Sequence, residues 1–295
     1  MKVKEIPQEE LISGSMSCSG CSSLLATRLA LKVLGRRTVF IVPAGCMSSV
    51  NCYWPQMPFR VPMFVGPFAA TGAIVQGVRA GFHFRGIKDI NVVGLAGDGA
   101  TADIGLASLS QAIVGGRKFI YICLDNEAYM NTGTQWSSTT PYGAITTTTP
   151  VPDIIQEREQ NKKDMLGIVM AHNIPYAATA CTSYPSDYMD KIRKAASVNG
   201  PTYIHVLAPC PAGWGYPEER SIEMGRMAVE SGMWYLCEYE NGQLRFTYRP
   251  EKKIPVSEFL STQSRFRRMK PEHIADLQSR VDKRLERLEA IAALK

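Results

Sequence analysis

Apolar residues in this 295-residue chain fall into short, β-branched runs separated by stretches of helical spacing. Residues 38–42 (TVFIV), 90–95 (INVVGL), 119–124 (FIYICL), 176–180 (YAATA) and 202–207 (TYIHVL) are apolar at nearly every position. Runs of that kind read as strands buried on both faces. Helical patterns cover residues 21–34, 69–84, 103–115, 161–172 and 187–198. Strands alternating with helices predict an α/β fold, a mostly parallel sheet flanked by helices on both faces. Beyond about residue 220 the pattern changes. Residues 242–248 read as an exposed strand, and from Pro271 onward Ile274, Leu277, Val281, Leu285, Leu288 and Ile291 recur three or four apart. That spacing gives an amphipathic helix. The organisation expected is an α/β domain over residues 1–220 and a C-terminal extension over 221–295 that packs on the domain or on a partner subunit. No internal repeat is visible.

With 45% hydrophobic and 20% charged residues the chain can bury a large core. Its net charge of +6 is dispersed, and the cluster Arg265, Arg267 and Arg268 is short. No stripe of basic and aromatic residues recurs, so a nucleic-acid partner is not expected and the cluster reads as solvated or partner-facing surface. The two uncharged stretches between Arg37 and Arg79 are broken by prolines and glycines, which argues against a membrane span. The segment MKVKEIPQEE carries no apolar core, so a cytoplasmic protein is expected. In a reducing compartment, eight cysteines are better read as ligands, redox groups or core residues than as disulfides.

Two groups of residues point to chemistry. Gly97-Asp98-Gly99 closes a predicted strand and opens a predicted helix. The glycines permit a tight turn and close approach of backbone to a ligand, and Asp98 is a hard oxygen donor suited to Mg²⁺ on a diphosphate. The next strand ends in Asp125-Asn126-Glu127, followed by Ala128 and Asn131. In a parallel sheet these strand ends meet at one crevice, with Asp98 and Asn126 side by side. A Gly-Asp-Gly alone serves many turns; the strand context and the second asparagine segment are what raise it to a candidate site. Asp125 and Glu127 suit either a ligand or a structural role. Residues 128–152 are uncharged and threonine-rich, and following so closely on this site they read as an active-site loop.

The second group is Cys18 and Cys21 in a C-x-x-C, with Cys46 and Cys210 after predicted strands. Four thiolates suit zinc or a 4Fe–4S cluster, and spacing alone leaves both open. Cys52, Cys123, Cys181 and Cys237 read as small buried hydrophobes. His83, His172, His205 and His273 stand at no ligand spacing with one another and read as structural.

The segments GDGATADIGLASLSQAI and YICLDNEAYMNTGTQ closely resemble the thiamine-diphosphate motif of the β subunits of 2-oxoacid:ferredoxin oxidoreductases, the pyruvate enzymes above all. The similarity runs from the N-terminal cysteines past Cys210. It implies the thiamine-diphosphate-binding fold, with Asp98, Asn126 and the Ala128 carbonyl as Mg²⁺ ligands. It implies further cofactor contacts from Gly97, Gly99 and Ala100. Asn131 and Thr132 fall near the thiazolium and substrate, and Gly45 and Cys46 link the ring to the cluster. The resemblance also implies that Cys18, Cys21, Cys46 and Cys210 hold a 4Fe–4S cluster, with Asn131 and Cys46 closest to the chemistry. Relatives commonly read H-R-x-C-x-G-C-G where this chain has Ser15 to Ser22, a change around the cluster that touches its potential and the choice of substrate.

The implied reaction is oxidative decarboxylation of a 2-oxoacid, with electrons passing singly through the cluster to ferredoxin and the acyl group passing to coenzyme A. In the family the glutamate that activates the thiazolium comes from an α subunit, and no ferredoxin-type cysteine series for further clusters is present here. A hetero-oligomer is therefore implied. Overall similarity points to pyruvate. Trp136, Tyr142 and the altered cysteine segment keep oxalate, 2-oxoglutarate, indolepyruvate and branched 2-oxoacids open, and a zinc-stabilised, non-catalytic interaction subunit is the reading from a different class.

Overall fold

In the computed structural model, residues 12–51, 53, 55–149 and 162–294 are described. Eight strands form one sheet: β1 (Thr38–Pro43), β2 (Met63–Gly66), β3 (Asn91–Gly97), β4 (Phe119–Asp125), β5 (Tyr176–Cys181), β6 (Pro201–Leu207), β7 (Leu236–Glu240) and β8 (Gln243–Tyr248). Their order is β2-β1-β3-β4-β6-β5-β7-β8. The first six are parallel, and β7 and β8 join antiparallel beyond β5. The mostly parallel α/β architecture expected from the apolar runs is thus the one observed, and residues 236–248 continue the same sheet.

The helices are α1 (Ser22–Leu34), α2 (Cys46–Asn51), α3 (Thr71–Phe84), α4 (Leu106–Val114), α5 (Met165–Met170), α6 (Pro185–Ser197), α7 (Pro211–Trp214), α8 (Ser221–Glu230), α9 (Val256–Ser261) and α10 (Pro271–Ala293). Alternation along each strand divides its side chains between two cores. Phe40, Val42, Val93, Leu95, Ile122 and Val206 pack with Ala26 and Leu29 of α1 and Met189 and Ile192 of α6. Ile41, Val92, Tyr121 and Tyr203 face the other way, onto Val75 of α3, Leu109 and Ile113 of α4, and Leu166 of α5. A third cluster, with Trp214, Trp234, Phe259, Leu277 and Val281, seats the C-terminal helices.

Local signals set the ends of elements. Cys21 N-caps α1, its Sγ accepting from Leu24 N, and Gly35 at φ +71° ends that helix. The helix expected over 103–115 is split into a π-helical turn Gly99–Asp103 and then α4. The one expected over 161–172 shortens to α5: Asp164 caps it, accepting from Gly167 N at 2.9 Å, and residue 161 lies outside the described residues. Two strands escaped the sequence pattern, β2 because it is four residues long between prolines and β7 because its polar residues mask it. No helix among the described residues is long and apolar enough to cross a membrane.

Candidate cofactor and metal site

Register brings the chemistry to one rim. Ile41 pairs with Gly94, Gly94 with Tyr121 and Tyr121 with Tyr203, so β1, β3, β4 and β6 run level. Four residues further along each strand lie Gly45, Asp98, Asp125 and Leu207. A cavity of about 260 Å³ opens at this rim. Gly45, Cys46, Gly97, Asp98, Gly99, Ala100, Asn126, Ala128, Asn131 and Thr132 all line it, together with apolar Val42, Met47, Leu95 and Leu124. A Cβ on Gly97 would meet no protein atom, whereas one on Gly99 would meet the Tyr129 ring at 2.4 Å. The first glycine leaves room for a ligand and the second lets Tyr129 close the wall.

Asp98 is buried, and its Oδ2 accepts from Ser137 Oγ at 2.6 Å and Thr139 Oγ1 at 2.7 Å. Its other oxygen faces the Asn126 amide at 3.1 Å, and the same amide atom lies 2.9 Å from Ala128 O. With nitrogen at that position the amide donates to both acceptors. With oxygen there, that atom faces both the Ala128 and the Asp98 oxygen. Separations of 2.9 and 3.1 Å match the edge of an octahedron built on Mg–O bonds of 2.0–2.1 Å, about 2.9 Å. The donor set therefore fits a hard divalent cation. Burial, with the Asp125 charge added, pushes the Asp98 carboxyl up to about 8, and a bound cation would reverse that balance.

Beneath lies a buried network that the sequence did not reveal. Asp125 Oδ2 is 2.9 Å from His205 Nε2, which carries the proton since a carboxylate only accepts, and 2.8 Å from Lys162 Nζ. Burial alone would raise Asp125, yet Lys162 and His205 outweigh it and hold the carboxyl below the usual range. Glu127 places Oε1 2.7 Å from Lys162 Nζ and Oε2 2.7 Å from Arg265. Asp125 and Glu127, ambiguous from sequence, thus face a charge network. Arg265, read as surface with its neighbours, is buried on the Trp214 ring at 3.9 Å, so that expectation is corrected for Arg265; Arg267 and Arg268 are exposed. Two acids ending a fully buried strand were the available signal, since buried carboxylates require cationic partners.

Cys46 lines the cavity, and Cys18, Cys21 and Cys210 lie in its neighbourhood. Cys18 is exposed, while Cys21, Cys46 and Cys210 are half-buried. Burial, joined by the thiols of Cys210, Cys21 and Cys18 and by Asp98, pushes Cys46 up to about 12, so these groups share one neighbourhood. Gly20 at φ +70° packs against α8, where Ser221 Oγ donates to its carbonyl at 2.8 Å, fixing the Cys18–Cys21 turn. Cys210 starts α7, its carbonyl accepting from Trp214 N. Among the described residues, no three His, Cys, Asp or Glu side chains close on a single-ion site. Cys123, Cys181 and Cys237 are buried in the sheet, and Cys52 lies outside the described residues.

Residues 43–206 match the thiamine pyrophosphate enzyme family, C-terminal TPP-binding domain. The chain is 47% identical over 279 residues to the pyruvate synthase subunit PorB of Methanothermobacter marburgensis, covering 94% of this chain and 97% of that protein. It is 44% identical over 292 residues to the ketoisovalerate oxidoreductase subunit VorB of Pyrococcus horikoshii, covering 97% and 94%. Among solved structures it is similar to a 2-oxoglutarate:ferredoxin oxidoreductase from Magnetococcus marinus, with TM-score 0.58 and 21% identity over 77% of this chain and 80% of that one. At that identity the likeness shows the fold.

Proposed function

The chain belongs to the family of 2-oxoacid:ferredoxin oxidoreductase β subunits, and on that premise we propose that it contributes the thiamine diphosphate, Mg²⁺ and proximal 4Fe–4S site of a hetero-oligomeric enzyme that converts pyruvate, coenzyme A and oxidised ferredoxin to acetyl-CoA, CO₂ and reduced ferredoxin. The observation that carries this reading is one cavity lined by Asp98, Asn126, Ala128 and Cys46, with the Cys210, Cys21 and Cys18 thiols in the neighbourhood of Cys46. Bound there, thiamine diphosphate supplies the electron sink for decarboxylation and a thiolate-held cluster accepts electrons one at a time.

The residues of this chain divide the remaining work. Asp98, Asn126 and the Ala128 carbonyl hold the cation, and Ser137 and Thr139 aim the Asp98 carboxylate at it. Gly97 leaves the diphosphate room against the backbone, and Val42, Met47, Leu95 and Leu124 keep water from the cavity. The Gly45–Cys46 segment lines this cavity and Cys46 neighbours the other three cysteines, a short path for electrons. Asn131 and Thr132, on an exposed turn at the cavity wall, contact the substrate side. The activating glutamate, further clusters and part of the substrate pocket come from partner subunits.

Co-expressed with its partner subunits and assembled without oxygen, the protein is expected to be brown, to retain thiamine diphosphate and Mg²⁺, and to reduce ferredoxin fastest with pyruvate. A colourless, zinc-bearing assembly without thiamine would overturn the redox reading. A rate fastest with a branched 2-oxoacid would shift the substrate alone, the alternative favoured by the 44% identity to the ketoisovalerate subunit.

A further inference from the structure

Resting on the cation site read above, we propose that Lys162 is a positioning residue that sets the spacing of the cation ligands and thereby selects Mg²⁺ over larger divalent ions. Asn126 lies between two buried carboxylates, and Lys162 Nζ grips both, at 2.8 Å from Asp125 and 2.7 Å from Glu127. Among the described residues it is the one cation that touches both flanks of Asn126. Its side chain is 12% exposed and its ammonium lies over the Trp234 ring at 4.7 Å.

Glu127 has φ +68°, a conformation rare for a residue with a side chain, and such strain persists only where surroundings over-determine it. Here they do. Glu127 N donates to Asp125 Oδ1 at 2.9 Å, Thr140 Oγ1 donates to Glu127 O at 2.8 Å, and Trp214 Nε1 donates to Asn126 O at 2.9 Å. The turn therefore sends Glu127 down to Lys162 and Arg265 while presenting the Asn126 amide and the Ala128 carbonyl to Asp98. With oxygen turned toward them, the Asn126 amide stands 2.9 Å from Ala128 O and 3.1 Å from Asp98 Oδ1, the spacing of Mg²⁺ ligands. Six-coordinate Ca²⁺, with bonds of 2.3–2.6 Å, spaces its ligands about 3.4 Å apart along an octahedral edge. A clamped turn resists that widening and a loosened one allows it.

The test titrates Mg²⁺ and Ca²⁺ calorimetrically into the assembled, cofactor-depleted enzyme in the presence of thiamine diphosphate, for the native chain and Lys162→Met. Loss of an outer contact to metal ligands typically costs about 10- to 100-fold in affinity, and that fall is expected for Mg²⁺. Ca²⁺ affinity should fall less, narrowing the preference, and Lys162→Arg should restore most of it. Should Lys162→Met fail to assemble, Glu127→Gln carries the same test, because it removes the charge that Lys162 and Arg265 hold. Unchanged Mg²⁺ affinity, or an equal fall for both ions, would overturn the clamp. Absence of saturable Mg²⁺ binding to the native enzyme would instead overturn the cofactor reading beneath it.

Discussion

Thr139 Oγ1 stands 2.7 Å from Asp98 Oδ2 and 3.0 Å from Asp125 Oδ1, and its single proton can serve only one of them. Burial, and after it repulsion from the neighbouring carboxylate, pushes Asp98 up, while Lys162 and His205 keep Asp125 ionised. Replacing Thr139 by valine preserves shape but leaves no donor between the pair. A buried charged acceptor deprived of its donor costs about 1–3 kcal/mol, so Thr139→Val should lower the unfolding free energy by that amount, read as a lower urea midpoint at unchanged slope. Ser137→Ala should cost less, since its hydroxyl serves Asp98 alone of the two acids. An unchanged midpoint for Thr139→Val would mean that the hydroxyl does not bridge. Asp98 and Asn126 were legible in the sequence because strand ends announce them. Ser137 and Thr139 were not, because which hydroxyls of a threonine-rich loop reach a carboxylate depends on a path that carries no periodicity.

At the scale of elements, the same logic separates what the pattern shows from what it hides. Runs such as FIYICL fix β4 because period-two alternation must fill a core on each side of the sheet, and every residue of that strand is buried. The pattern does not show what ties the antiparallel edge to the parallel body. Besides the β5–β7 ladder, that link is Lys191 of α6, buried, with Nζ donating to Thr179 O of β5 at 2.8 Å, to Thr247 Oγ1 of β8 at 2.8 Å and to Asp187 at 2.6 Å. Burial lowers its pKa, and the Asp187 carboxylate opposes that shift. In sequence Lys191 reads as one more charge on an amphipathic helix, so its burial was hidden. Lys191→Met strands Asp187 and unhooks β8, at a cost of about 3 kcal/mol for breaking a buried pair. Amide exchange in residues 243–248 should quicken far more than in β3 and β4. Acceleration spread evenly over the sheet would refute the role of a local fastener.

For the whole molecule, the asymmetry between its two edges and two rims decides where partners belong. The cavity opens at the carboxyl rim, and β2, the parallel edge strand, runs toward it and leads into Phe68 of the cavity wall. On β2, Phe64 is 51% and Val65 44% exposed, and among the described residues no strand pairs with the outer side of β2. Phe84 is 93% exposed but ends α3, at the opposite rim where β3 begins. An apolar edge of this kind invites strand pairing unless something covers it. Since the relatives are subunits of multi-subunit oxidoreductases, a partner subunit is expected on β2. Phe64→Asp should leave the isolated chain's unfolding within about 0.5 kcal/mol of native, as exposed substitutions do. It should weaken assembly at least about tenfold, or 1.4 kcal/mol, in sedimentation of the reconstituted subunits. Phe84→Asp, equally polar and on the far rim, should assemble as native. If both variants assembled normally, or both failed alike, the partner would have to lie elsewhere, and the exposure of β2 would need another cause.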